Sequence, residues 1–328
     1  MIELCLHIPT IKECKNVNYY SGMLKRAPEI GISDPEAMFL PGTKAIANVR
    51  KLFGKILMPL LDNDGKFARM YFGVEFCQRL IPALEELKTA LNTADEQKMD
   101  FTLLTPYAAD EGIKSLVKLF EYLEKSGRKT EVVVNDLGVL KLIHDNYPHL
   151  KPVYGRLMSK MTRMPRFAKQ LSKRITPEQL KVFQNCSLLL PYYKKFLTEM
   201  GVERLEFDIV PQGIKMDFNN EPFRASFYYP WAYITTGRVC EIGSMGIVPE
   251  KKFRLDQPCG RECQKYYSHI YKSQCESNER CAGESAGSEY IFQKGNAIFM
   301  LCEAPQSVLK NLFSLGFDRV IYEPCFPI

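Results

Sequence analysis

The apolar positions of this chain change period repeatedly. FTLLTPY (101–107) is a short apolar run, and EGIKSLVKLFEYLEKSG (111–127) after it repeats Ile113, Val117, Phe120 and Leu123 at helical spacing, with Gly127 where a stop is expected. TEVVVND (130–136) reads as a strand, LGVLKLIHDNY (137–147) as a helix and KPVYGRLM (151–158) as a strand again. The order continues with a helix around TPEQLKVFQ (176–184), a strand in CSLLL (186–190), a helix in YYKKFLTEMG (192–201) and the strand RLEFDIV (204–210). ASFYYPWAYITT (225–236) reads as one long strand-like run, and PQSVLKNLFSLGFDRVIYEP (305–324) adds a last helix and strand. Repeated strand–helix units predict a parallel sheet with helices outside it. An open doubly wound sheet and a (β/α) barrel both fit, and the number of units favours the barrel, an α/β TIM-barrel-like fold.

Two segments depart from this rhythm. In the first 66 residues Pro and Gly interrupt any periodicity around APEIGISDPEAMFLPG (27–42), which predicts one strand plus an irregular N-terminal cover. Residues 236–290, rich in Gly, Cys, Ser, Lys and Glu, read as a long cysteine-bearing excursion from a single barrel-like domain spanning 1–328. Composition adds little beyond this: 46% hydrophobic and 25% charged residues are ordinary for a globular chain, and a net charge of +6 demands neither an anionic substrate nor RNA. No apolar stretch approaches the roughly 18 residues needed to cross a bilayer, and the start, MIELCLHIPTIKECK, lacks a secretory pattern, so a cytoplasmic protein without membrane insertion is expected.

The chain has 11 cysteines, which in a reducing compartment are more naturally core residues or metal ligands than a disulfide framework. Cys5, Cys186, Cys302 and Cys325 lie in or beside apolar runs, where a thiol packs as a small hydrophobe. Cys77 and Cys240 follow RMYFGV (69–74) and the 225–236 run, just beyond C-terminal strand ends, the functional face of a barrel. Closing so long a loop costs about 4–5 kcal/mol, which the folding of the barrel itself covers. Two four-cysteine sets then compete. Cys259, Cys263, Cys275 and Cys281 are close in sequence but lack the two-residue gaps common in zinc knuckles. Cys77, Cys240, Cys259 and Cys263 would form a thiolate cage of the kind that holds a 4Fe-4S cluster. Spacing alone leaves both open.

The runs YFGVEFCQR (71–79), NDLGVL (135–140) and PVYGRLMSK (152–160), and RVC (238–240) followed by PCGRECQKY (258–266), resemble the collagenase-like peptidase superfamily, most closely its UbiU/UbiV branch. The resemblance spans roughly 70 to 328 and implies a 4Fe-4S cluster on Cys77, Cys240, Cys259 and Cys263. It further implies a component of oxygen-independent hydroxylation in ubiquinone (isoprenoid quinone) biosynthesis, a hetero-oligomer with a related chain, and a small carboxylated, prephenate-like hydroxyl donor. Other branches hydroxylate tRNA or rRNA bases, which keeps RNA as an alternative; a metal-bearing interaction protein without catalysis is a third.

Eight basic and no acidic residues lie between Lys151 and Arg174 (Lys151, Arg156, Lys160, Arg163, Arg166, Lys169, Lys173 and Arg174). They form either a solvated face, an RNA-binding stripe, or an anion site in which Arg156 meets a carboxylate as a planar fork. The superfamily's GR strand end raises Arg156 and Lys160 as substrate-binding residues. No HExxH, GxSxG or phosphate-loop motif is present, and the histidines form no helical metal pair, so a peptidase is not supported. Asp136, Glu206 and Asp208 at strand ends are read as caps or ion-pair partners before acid–base groups, and Tyr228, Tyr229, Trp231 and Tyr233 as core before substrate wall.

Overall fold

The computed structural model describes residues 2–26, 41–61, 66–163, 174–254, 257–270 and 290–328. Eight parallel strands close into a barrel: β1 (Glu3–Ile8), β2 (Arg69–Gly73), β3 (Asp100–Leu104), β4 (Thr130–Val134), β5 (Leu150–Tyr154), β6 (Arg204–Asp208), β7 (Arg224–Tyr229) and β12 (Phe317–Tyr322), with β12 pairing β7 on one side and β1 on the other. The expected α/β TIM-barrel-like fold is what forms. Between β7 and β12 the chain builds a separate four-stranded sheet, in the order β8 (Trp231–Thr236), β11 (Ala297–Leu301), β10 (Ile291–Lys294), β9 (Ser268–His269).

Nine α-helices occur among the described residues: α1 (Ile11–Cys14), α2 (Val17–Arg26), α3 (Pro41–Leu52), α4 (Leu84–Glu96), α5 (Asp110–Lys125), α6 (Leu137–Asn146), α7 (Pro177–Phe183), α8 (Pro191–Glu199) and α9 (Gln306–Ser314). None is long and apolar enough to cross a membrane. In α5 the buried stripe is Leu116, Leu119, Phe120 and Leu123, with Ile113 and Val117 at its margin, and Asp110 and Glu111 occupy the first turn, where the helix dipole favours acidic groups.

Three sequence expectations need correction. CSLLL is not a strand but a single 3-10 turn, Ser187–Leu189, since Pro191 immediately starts α8 and just one of the leucines, Leu188, is fully buried. The run 225–236 is two strands: Pro230, without an N–H to donate, ends β7, and the chain leaves the barrel to enter the second sheet as β8. The N-terminal cover is largely helical through α1, α2 and α3, although 27–40 lies outside the described residues.

The barrel strands carry two different faces. Leu4, Leu6 and Ile8 of β1, with Met70, Phe72, Leu103, Val132, Leu205 and Phe207, join the main core outside the barrel. The alternate positions fill the lumen. Its apolar middle layer is Cys5, Tyr71, Leu104, Val133, Val153, Tyr228 and Ile321. One step toward the strand starts lies an ion network: Arg319 donates to Glu3 (2.6 Å), Glu131 (2.6 Å) and the Tyr71 hydroxyl (2.8 Å), and Arg69 donates to Glu3 at 2.9 Å. Burial pushes the Glu131 carboxyl up, but Arg319 and Arg69 outweigh it and hold it at about 2.

Glu206 sits beside the apolar layer without an arginine of its own; the hydroxyls of Tyr71 (2.9 Å) and Tyr228 (2.6 Å) donate to its two oxygens. Burial, seconded by the charge of Glu75, raises its carboxyl to about 7. Between about pH 4.5 and pH 7 the folded protein therefore retains a proton that the unfolded chain has released, and stability falls as pH rises through that window. Thermal melts of Glu206→Gln and wild type at about pH 5 and about pH 8 should show the variant gaining on wild type by of order 2–3 kcal/mol on the alkaline side; a gap that does not change with pH would contradict this.

Candidate functional site

At the C-terminal ends of the barrel strands the lumen closes in a second buried ion cluster. Arg156, in the turn after β5, is 0% exposed. Its Nε donates to Glu75 at 2.8 Å, one Nη to Asp208 at 3.0 Å and the other to Glu323 at 2.7 Å. Its guanidinium carbon lies 3.6 Å from the Tyr228 ring centroid and 5.3 Å from that of Phe76. Arg163 donates to the second oxygen of Asp208 at 3.2 Å and packs over Tyr233. His7 faces the Gly73 carbonyl through Nε2 (2.9 Å) and Glu323 through Nδ1 (3.2 Å). A carbonyl can only accept, so Nε2 is the donor there, and the contact with Glu323 is a hydrogen bond when a proton lies between the two groups.

Asn135 ties this floor together. Its Nδ2 donates to Glu75 (3.2 Å) and to the Thr105 carbonyl (2.9 Å), while its Oδ1 accepts from the Leu157 N–H at 3.1 Å. Gly155 is required beside it, because a Cβ there would stand 2.2 Å from Asn135 Oδ1. Asp136, the next residue, caps α6 by accepting from the Gly138 and Val139 amides, the structural role foreseen for it.

Above the floor lies a cavity of about 430 Å³. Cys77, Cys240, Cys259 and Cys263 all line it, together with Phe76, Arg79, Arg238, Arg254, Gln257 and Asn296. The barrel contributes Cys77 from the loop after β2; the segment after β8 contributes the other three. None of the four is in a disulfide. Burial raises the thiols of Cys77, Cys240 and Cys263, the last to about 11, and each also feels the charge of its neighbours. Backbone amides are turned toward the sulfurs: Gly243 N–H donates to Cys240 Sγ at 3.1 Å and Arg261 N–H to Cys259 Sγ at 3.4 Å. In CGREC, Arg261 takes a left-handed conformation (φ 59°), which folds the segment so that the Gly260 N–H reaches Glu262 and both cysteines meet the same cavity.

A single zinc ion held by four thiolates at about 2.3 Å draws their sulfurs to within roughly 4 Å of one another. Among the described residues no three Cys, His, Asp or Glu groups are gathered closely enough to hold one metal ion. The rival local set shares Cys259 and Cys263, but Cys275 and Cys281 lie outside the described residues.

The two substrate-binding expectations fare differently from the cysteines. Arg156 does stand directly after a strand at the mouth, but three carboxylates fill its fork and Phe76 lies between it and the cavity, so it has no edge to offer a ligand. Lys160 is exposed, at φ 52°, and is not part of the cavity wall. Of the basic run, Arg163 is also internal, and 164–173 lies outside the described residues. Tyr228, Tyr229, Trp231 and Tyr233 are buried as core, as expected. Sequence reading missed Arg79, Arg238, Arg254 and Asn296; the motif KGNA (294–297), a Gly-Asn pair between apolar strands, was the available hairpin signal for the last.

No family model, no curated protein and no solved structure matches this chain.

The floor generates a contrast between two residues of the basic run. Arg156→Met strands three buried carboxylates and should cost about 3–5 kcal/mol in urea unfolding, whereas Lys160→Ala should stay within about 0.5 kcal/mol of wild type. Equal, small effects would mean that the clasp is not a stability element.

Proposed function

We propose that this chain is an iron–sulfur protein of the collagenase-like peptidase superfamily, UbiU/UbiV-like, that takes part in oxygen-independent hydroxylation for isoprenoid quinone biosynthesis in the cytoplasm. The observation that carries the reading is the meeting of Cys77, Cys240, Cys259 and Cys263, from distant parts of the chain, around one cavity at the catalytic end of a barrel. Their donor set suits a 4Fe-4S cluster: four free thiols around one cavity, with amides directed at two of the sulfurs. Such a cluster supplies one-electron chemistry; this chain's own residues supply the thiolates, the polar shell around them and the cavity that admits a reactant.

For that reactant, the small carboxylated, prephenate-like reading moves from Arg156 and Lys160 to Arg79, Arg238 and Arg254, which share the cavity wall with the cysteines. Among the described residues Asp136 is the one carboxylate in that wall, and its Oδ1 accepts from the Gly138 and Val139 amides. Hydroxylation of an RNA base is the second reading, since arginines at a cavity mouth also suit phosphates. A hetero-oligomer with a related chain belongs to the first.

Anaerobically purified protein should be brown, with about four iron and four sulfide per chain. Cys77→Ser should abolish the iron, and joint replacement of Cys275 and Cys281 should leave it in place; the reverse pattern, or colourless protein with stoichiometric zinc, would overturn the assignment. Prephenate and a short RNA can then be titrated at two salt concentrations against wild type and Arg238→Gln. The small-anion reading expects prephenate affinity to fall on the order of tenfold in the variant. RNA binding that weakens steeply with salt, with no prephenate binding at all, would put the RNA reading first.

A further inference from the structure

The tip of the β10–β11 hairpin touches the cysteine-bearing segments in a way that no cysteine does. Lys294 pairs with Ala297 across a two-residue turn, Gly295–Asn296, with Gly295 at φ 62°, a conformation that favours glycine at the first position of such turns. A side chain begun at Gly295 would stand 3.5 Å from the Cβ of Cys263, so the tip lies directly against that segment. Asn296 reaches the other two. Its Nδ2 donates to the Phe76 carbonyl at 2.6 Å, one residue before Cys77, and to the Gly237 carbonyl, three residues before Cys240. Its own backbone carbonyl accepts from the Gly237 N–H (3.1 Å) and the Thr236 hydroxyl (3.3 Å).

The orientation of that amide is unambiguous. Both partners are carbonyls and can only accept, so the NH2 end faces them; the Oδ1 end is buried with no hydrogen-bond partner among the described residues. An acceptor buried without a partner among the described residues is a cost, which the two donated bonds offset. Each bond runs to a different cysteine arm, one on the barrel and one on the second sheet. Side-chain and main-chain atoms of a single residue thus span the gap that the ligand set must span.

We propose that the Gly295–Asn296 tip is the positioning element of the cysteine site and that Asn296 sets the separation of the Cys77 and Cys240 arms. The inference rests on the reading of these cysteines as one ligand set. Aspartate at 296 would turn a second oxygen toward two carbonyl oxygens, breaking both links and adding repulsion; glutamine keeps the donors on a longer stem.

Two measurements on the full chain test this. In metal-free protein, a short bifunctional thiol reagent should cross-link Cys77 to Cys240, and mass spectrometry should find that yield several-fold lower in Asn296→Asp, intermediate in Asn296→Gln and unchanged in Lys294→Ala on the same hairpin. In anaerobically loaded protein, iron release to a chelator should be on the order of tenfold faster for Asn296→Asp, while the midpoint of thermal unfolding of the metal-free form moves by no more than about 4 °C. Cross-linking and iron release at wild-type levels in Asn296→Asp would overturn the proposal, as would a loss shared equally by Lys294→Ala. The cross-link requires no metal, so a chain that never carries iron refutes the cluster reading while still deciding this one.

Discussion

The guanidinium of Arg156 is the interaction on which the upper half of the barrel depends. Glu75, Asp208 and Glu323 come from three different strand ends and are all essentially without solvent, a condition that carboxylates tolerate only when paired. Arg156 reaches all three at once because its fork is planar and offers five donors in fixed directions. Arg163 adds a second guanidinium on Asp208, and His7 stands 3.2 Å from Glu323. Pairing of each carboxylate with a guanidinium is what makes the burial tolerable. A lysine could supply the charge but not three directed contacts.

This clasp has a consequence for the cavity above it. Glu75, Phe76 and Cys77 are consecutive, so the ion pair at Glu75 and the packing of Phe76 on Arg156 fix the backbone from which Cys77 projects. On the other side the Tyr233 hydroxyl donates to the Arg156 carbonyl at 3.3 Å, tying β8, which leads to Cys240, to the same residue. The floor thus holds the roots of two cysteine arms and the hairpin tip holds them further out. A site assembled from distant segments needs both, since each arm carries no more than a single 3-10 turn beside its cysteine, Gln78–Leu80 on one and Ile242–Ser244 on the other.

Much of the barrel was legible because its helices and strands differ in period: α5, α6 and the strands around them fall where the apolar spacing puts them. Failures occurred where the pattern has no period. CSLLL is apolar without alternation, and nothing in it separates a strand from a turn leading into Pro191. Arg156 was located at the correct strand end, but its partners lie 81, 52 and 167 residues away, and no spacing rule connects them. A subtler signal was present. In RLEFD (204–208) charged residues alternate with apolar ones that face the helices, and in RVIYE (319–323) Arg319 and Glu323 share the parity of Ile321 while Val320 and Tyr322 face the helices; in a closed barrel the face opposite the helices is the lumen. That alternation announces a charged interior, although not which charges meet.

The two halves of the site differ in how they are stabilised. The Cys77 arm belongs to a barrel whose strands are hydrogen-bonded on both sides and whose lumen is closed by ion pairs. The segment holding Cys240, Cys259 and Cys263 consists among the described residues of isolated 3-10 turns and a two-residue strand, with exposed Val239, Met245, Val248 and Phe253. Such a segment has few cooperative hydrogen bonds and sits at the low end of local stability. A metal group held by the proposed ligand set would link it to the rigid arm through thiolates, and because ligand binding to the native state adds its free energy to folding, most of that gain would go to the segment that lacks its own ladder. On that reading the barrel would act as the fixed jaw and the excursion as the part whose order depends on what the cysteines hold.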